Sequence, residues 1–155
     1  MRNVFENLLA GYAESVGLAA QPLLAQQPAN LLFDDKLNIQ VALDEAAGDV
    51  CFASWLFSVE DEQRLAVIAL MIAQANFEQD GLHGAHLAMN TEGKVVLLRR
   101  VPLQSLDGVR FDKLVKEFVD AAEKWTDSVA SMVAFVALET DRDETQGDWE
   151  RHGRV

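Results

Sequence analysis

The stretch RLAVIALMIAQAN, Arg64 to Asn76, carries an unbroken apolar run from Leu65 to Ala73. It falls well short of the roughly 18 residues that a bilayer crossing needs, and it is apolar around too much of its circumference for one face of a surface helix. A helix of that kind has to be covered on more than one side. Its positions divide into two opposite sets, Leu65, Ile68, Ala69 and Ile72 against Val67, Leu70, Met71 and Gln74. The pattern alone leaves open which set turns inward. Five short strands and two other helices can cover only one face. Three or four exposed large aliphatics, each forgoing about 1.5–3 kcal/mol of burial, would weigh heavily on a domain stable by about 5–15 kcal/mol. A two-fold homodimer removes that load, because a self-complementary face meets its own copy. Val67, Leu70, Met71 and Gln74 are the expected dimer interface.

The rest of the chain reads outward from this helix. Upstream, Phe5, Leu8, Leu9, Tyr12 and Val16 recur at steps of three and four, which predicts a helix from about Asn3 to Leu18, stopped by Gly17 and then Pro22. Leu37, Ile39, Val41 and Leu43 alternate with Asn38, Gln40, Ala42 and Asp44, the period of a half-buried strand. The polar breaks DDK and EAAGD then divide this region into three antiparallel strands, near Leu31–Phe33, Leu37–Leu43 and Val50–Val59. Ser58 is the expected N-cap of the apolar helix, with Glu60, Asp61 and Glu62 in its first turn and its end near Gln79. Downstream, GLHGAHLAMNTEGKVVLLRRVP predicts two strands around an Asn90–Gly93 turn, closed by Pro102. From Phe111 a seam of Val115, Phe118, Ala122, Trp125, Val129, Met132 and Val136 predicts a long final helix packed on the domain's own sheet. The order is α-βββ-α-ββ-α. It implies an α+β domain over 1–138, a twisted antiparallel sheet packed by helices, followed by an acidic, loose tail over 139–155.

Composition narrows the function classes. Thirteen Lys and Arg against 25 Asp and Glu leave a net charge of −12. Such a polyanion repels phosphate backbones and anionic lipid, so neither nucleic acid nor membrane insertion is expected. The single cysteine, Cys51, excludes an internal disulfide and suits a reducing cytosol. Acidic Glu6 stands where a signal peptide needs its apolar centre, so a cytoplasmic location is expected.

Nothing in the chain calls for catalysis, a metal or a cofactor. His83 and His86 are three apart on an expected strand, which turns their rings to opposite faces, and no cysteine completes a tetrahedral set. Asp34 with Asp35, and Asp44 with Glu45, are carboxylate pairs that acid/base chemistry could use, but each flanks a turn where carboxylates are solvated. Arg99 and Arg100 are expected to form local ion pairs. There is no nucleophile elbow and no phosphate-cradling glycine loop.

From Ala75 the residues carry a resemblance. Ala75 and Asn76 end a helix, Leu87 and Met89 lie on a strand, Gly93 sits in its turn and Val95 to Leu97 follow on the next strand. Pro102 with Leu103, Leu106 with Asp107, and then Phe111, Leu114, Phe118, Ala122, Glu123 and Trp125 complete the set. Together they resemble the class I type III secretion chaperones, the Tir-chaperone or CesT-like family. The resemblance covers nearly everything before the tail and rests mostly on apolar and turn positions.

What the resemblance implies is a cytoplasmic homodimer that binds the N-terminal region of a secreted effector, keeps it unfolded and soluble, and delivers it to the secretion apparatus, with the secretion ATPase as a further candidate partner. By analogy of position the effector-binding residues would be Phe5, Leu8, Leu9 and Tyr12 on the first helix and Leu31, Leu32 and Phe33 on a short edge strand, where a guest strand could extend the sheet. GLHGAH matches the family's usual glycine-rich lead-in only loosely, and the acidic tail has no clear counterpart. The alternatives are a regulatory protein-binding module of the same fold, secretion-coupled or YbjN-like, and, more remotely, a small enzyme using Asp34, Asp35, Asp44 and Glu45.

Overall fold

The computed structural model describes the backbone of residues 1–152 and the side chains of residues 1–134 other than Gln63, Met132 and Val133. The acidic segment expected as a tail, 139–155, lies outside the residues whose side chains are described. Along the chain come α1 (Arg2–Ser15), α2 (Ala20–Leu24), β1 (Ala29–Phe33), β2 (Leu37–Asp44) and β3 (Asp49–Ser58). They are followed by α3 (Glu62–Glu78), β4 (His86–Met89), β5 (Lys94–Pro102), a 3-10 turn (Leu103–Ser105) and α4 (Gly108–His152). All strand pairs are antiparallel, in the order β1-β2-β3-β5-β4.

Alternation along the strands sends Ala29 and Leu31, Ile39 and Val41, Val50 and Phe52, and Leu87 and Leu97 to one face, where all are buried. That face receives α4. Phe52 at its centre lies 5.9 Å from the Phe111 ring and 5.7 Å from Phe118, and Tyr12 of α1 meets Phe111 edge-on at 6.0 Å. The expected seam is therefore core from Phe111 through Trp125 to Val129.

Local signals explain the boundaries. α1 ends in a Schellman arrangement: Gly17, at φ 74°, lets Leu18 N–H reach Ala13 O at 2.7 Å while its own N–H reaches Glu14 O. Asp107 caps α4, its Oδ1 accepting from Arg110 N–H at 2.8 Å. The Asn90 side chain accepts from Glu92 and Lys94 N–H in the β4–β5 turn, where Gly93 takes φ 78°.

Three expectations are corrected. Pro22 does not merely stop α1; it lies in the first turn of α2, where its missing N–H has no helical partner to lose. Ser58 is not a helix cap: it still pairs with Lys94 in the sheet, and α3 begins only at Glu62, so Glu60 and Asp61 precede the helix. His83 is not on a strand but in the loop before β4, at φ 49°.

Candidate functional site

The two sheet edges are treated differently. At β4 the Asn76 side chain of α3 donates to Leu87 O and accepts from Leu87 N–H, both at 2.8 Å. These are the backbone groups that face away from β5, so α3 satisfies that edge. At the opposite edge no strand among the described residues pairs with the far side of β1. The free edge and its neighbourhood are where an extended chain could add.

A succession of open grooves runs past β1 and around the domain. The first, about 680 Å³, lies between Met1, Val4 of α1, the β2–β3 turn and Leu103–Leu106. The next shares Val4 and Leu106 with it and continues past Leu8 and Gly11 to Tyr12 and Asp112. A third, about 700 Å³, shares Tyr12 and Asp112 and is lined by Val16, Phe33, Val115 and Val119. Phe33 leads on to Leu37, Trp55 and Leu56, and these in turn to Phe57 and Lys94. Each groove shares residues with the next, so together they form one track, mostly apolar around Leu8, Tyr12, Val16 and Val119 and of mixed polarity around Phe33 and Trp55. Trp55 is 54% exposed, and Leu32 on the free edge strand is 58% exposed. Within the track, burial and then the neighbouring Asp112 carboxylate push the Tyr12 phenol above its ordinary range.

A second apolar feature stands apart from the track. α3 turns Ile68, Ile72 and Ala75 into the core, with Leu65 and Met71 packed against it. Leu70 is 70% exposed, Phe77 90% and Val67 42%, with Gln74 exposed beside them. The opposite faces of the opening helix are thereby told apart.

The Tir chaperone (CesT) family model matches residues 7–126, which takes in most of α1 through the buried part of α4. The chain belongs to the Tir chaperone (CesT) family. Among curated proteins no sequence matches it. Among solved structures, the family fold recurs in the ExsC–ExsE complex at a TM-score of 0.64 and 20% identity, covering 82% of this chain and 94% of that one. It recurs in the HopA1–SchA chaperone–effector complex at 0.57 and 18%, covering 82% and 93%. A third likeness is to the Yersinia pestis type III secretion chaperone SycH in complex with a stable fragment of YscM2, at 0.56 and 13%, covering 77% and 98%.

Within this family frame the sequence-derived residues divide. Tyr12 and Phe33 each line two adjoining grooves, Leu8 lines one, and Leu32 stands exposed on the edge strand. Phe5, Leu9 and Leu31 are buried in the core of the single chain, beneath the track. Of the α3 set, Val67, Leu70 and Gln74 are exposed together while Met71 is half-buried; Phe77, which lies beyond the unbroken apolar run, joins the exposed face. Periodicity could have found Phe77, because it is seven residues after Leu70.

The carboxylate pairs take structural roles. Asp34 and Asp35 occupy the β1–β2 turn at φ 49° and 55°. The Asp44 carboxyl lies below its ordinary range, chiefly through the Ala47 N–H and then Arg100, while Glu45 pairs with Arg2. Arg99 pairs with Glu117 at 3.0 Å and Arg100 with Asp44 at 3.0 Å, the local ion pairs expected of them. Among the described residues no group of three His, Cys, Asp or Glu could hold a metal, and no helix is long and apolar enough to cross a membrane.

Proposed function

We propose that this chain is a cytoplasmic type III secretion chaperone that holds the N-terminal segment of a secreted effector in extended form along the groove track, and works as a homodimer through the exposed face of α3. The observation that carries the reading is the track itself: adjoining grooves, most apolar around Tyr12 and Val16, that meet the edge strand β1 at Phe33, on a member of the Tir chaperone family. Its structural neighbours include a chaperone–effector complex and a type III secretion chaperone bound to a fragment of another protein. Holding a guest extended costs on the order of 1 kcal/mol or more per ordered residue, which many apolar contacts and edge hydrogen bonds have to offset. The track offers apolar surface, and the edge of β1, which it meets at Phe33, offers backbone hydrogen-bonding groups.

The test is co-expression with the effectors of the same secretion cluster. Wild-type protein should co-purify with an effector carrying its N-terminal segment and not with the truncated effector, and Leu32→Asp or Val16→Asp should weaken capture while leaving the circular dichroism spectrum unchanged. If no effector segment is retained and secretion is unaffected by deleting the chaperone, the reading fails.

A further inference from the structure

The walls of the track say something about its guest beyond apolarity. α4 forms one wall, and along it Asp112, Lys116, Asp120, Glu123 and Asp127 follow one another at steps of four or three, so they share one stripe. The stripe runs beside the buried seam and borders the three middle grooves in turn. Its four carboxylates make no ion pair among the described residues, and Lys116 is its only cation. Lys113 lines the same groove as Lys116, so there two cations balance Asp112 and Asp120; in the groove beside Trp55 Lys36 stands against Asp34, Glu123 and Asp127, and the groove between Val4 and Asp112 is lined by Asp107 and Asp112 with no cation. At the far ends Asp49 and Asp107 add further negative charge, while Lys94 is held by Glu92 at 3.0 Å.

An acidic guest side chain would be repelled in the grooves on either side of that balanced one, and a basic one would be attracted. Each exposed contact is weak, but a row of like charges on the wall of a groove acts together and discriminates between partners more than it tightens any one of them. Building on the function proposed above, we infer that the guest segment is basic as well as apolar: its charged residues over the α1–β1–α4 stretch of the track are Arg and Lys, set between apolar side chains that reach Tyr12, Val16, Phe33 and Trp55. The aliphatic stems of those cations suit such a path, because they can cover apolar floor while the head groups reach the carboxylates.

The test is selection from a random-peptide display library on the full chain at low ionic strength. The peptides recovered should combine apolar residues with Arg and Lys and be depleted in Asp and Glu. A variant with Asp112→Asn, Asp120→Asn, Glu123→Gln and Asp127→Asn should keep the apolar preference and lose the basic one. Its affinity for the best wild-type peptide should fall by about tenfold, with a flatter salt dependence. A control neutralising Glu6, Glu14, Glu60 and Glu78 to Gln, away from the track, should retain the basic preference. Neutral or acidic winners, a basic preference that survives in the stripe variant, or an equal loss in the control would overturn the inference while leaving the guest-holding reading in place. Recovery of no peptide by the wild type would overturn both.

Discussion

Substituting Leu70 by Asp tests whether the second apolar face of α3 is covered by another copy. In the single chain Leu70 is 70% exposed, so it touches little that a polar replacement could disturb. Full burial of a leucine is worth about 1.5–3 kcal/mol, and some two-thirds of that is still to be gained here, or ~1–2 kcal/mol. In a two-fold interface the residue occurs twice, so its loss weakens association by ~2–4 kcal/mol, before any cost of desolvating two carboxylates. The dissociation constant should rise by about two orders of magnitude. Sedimentation velocity over a dilution series reads this directly: wild type as dimer, Leu70→Asp as monomer over the same range. The variant's far-ultraviolet circular dichroism should remain native, whereas Ile72→Asp, at a buried position on the opposite side, should unfold the chain. A wild type that is monomeric at every concentration, or a Leu70→Asp protein with an unchanged dissociation constant, refutes the reasoning.

Three further outcomes follow from the structure. Asn76→Ala removes both bonds to Leu87 and should cost about 1–3 kcal/mol, with faster hydrogen exchange at the Leu87 amide; an unaltered exchange rate there would contradict the edge-closing role. Gly93→Ala puts a Cβ on a backbone at φ 78° and against Val59 O and the Leu65 side chain, so calorimetry should show Tm lowered by roughly 5 °C or more, and an unchanged Tm would count against the turn geometry. The Arg99 guanidinium holds the Glu117 carboxyl below its ordinary range, so the pair's stabilisation is full above the unfolded carboxylate value of about 4.3 and is lost as pH falls through the lower folded value. Urea unfolding should therefore find Glu117→Gln less stable than wild type by about 1 kcal/mol at neutral pH and equal to it near pH 3; a difference that does not shrink in acid would mean the carboxylate charge is not what stabilises.

Much of the fold was legible because its elements carry strong periods. Three- and four-residue steps mark α1 and the buried part of α4, and strict alternation marks β2. α2 was missed because Pro22 reads as a terminator, and only the geometry shows it in a first turn, where it disturbs nothing. The site was less legible. A stripe such as Phe5, Leu8, Leu9 and Tyr12 looks the same whether it fills a core or floors a groove, and burial alone separates Phe5 and Leu9 from Leu8. The two sets on α3 could not be ordered by pattern, since both are apolar; the direction came from which side the sheet and α4 occupy. The grooves themselves join residues remote in sequence, Phe33 with Val119 and Trp55 with Thr126, and no local spacing announces such a meeting.

The positions that carry the family resemblance have a physical meaning that bears on how a guest is recognised. Asn76 closes a sheet edge, Gly93 fits a left-handed turn, Asp107 caps α4, and Phe111, Phe118 and Trp125 fill the space over Phe52 or beside it. All of them hold the scaffold, and of these Asp107 also lines a groove of the track. Of the features that would choose a guest, Glu123 of the acidic stripe belongs to the matching set, while Asp112, Asp120, Asp127 and the exposed Leu32 and Trp55 lie outside it. Residues that build such a fold are constrained by packing, whereas residues that discriminate guests are free to differ wherever the guests differ. The proposed dimer face is separate again: Val67, Leu70, Gln74 and Phe77 line none of the grooves that make up the track. The exposed face of α3 and the proposed guest path thus occupy different residues, so a change at one can be read without disturbing the other.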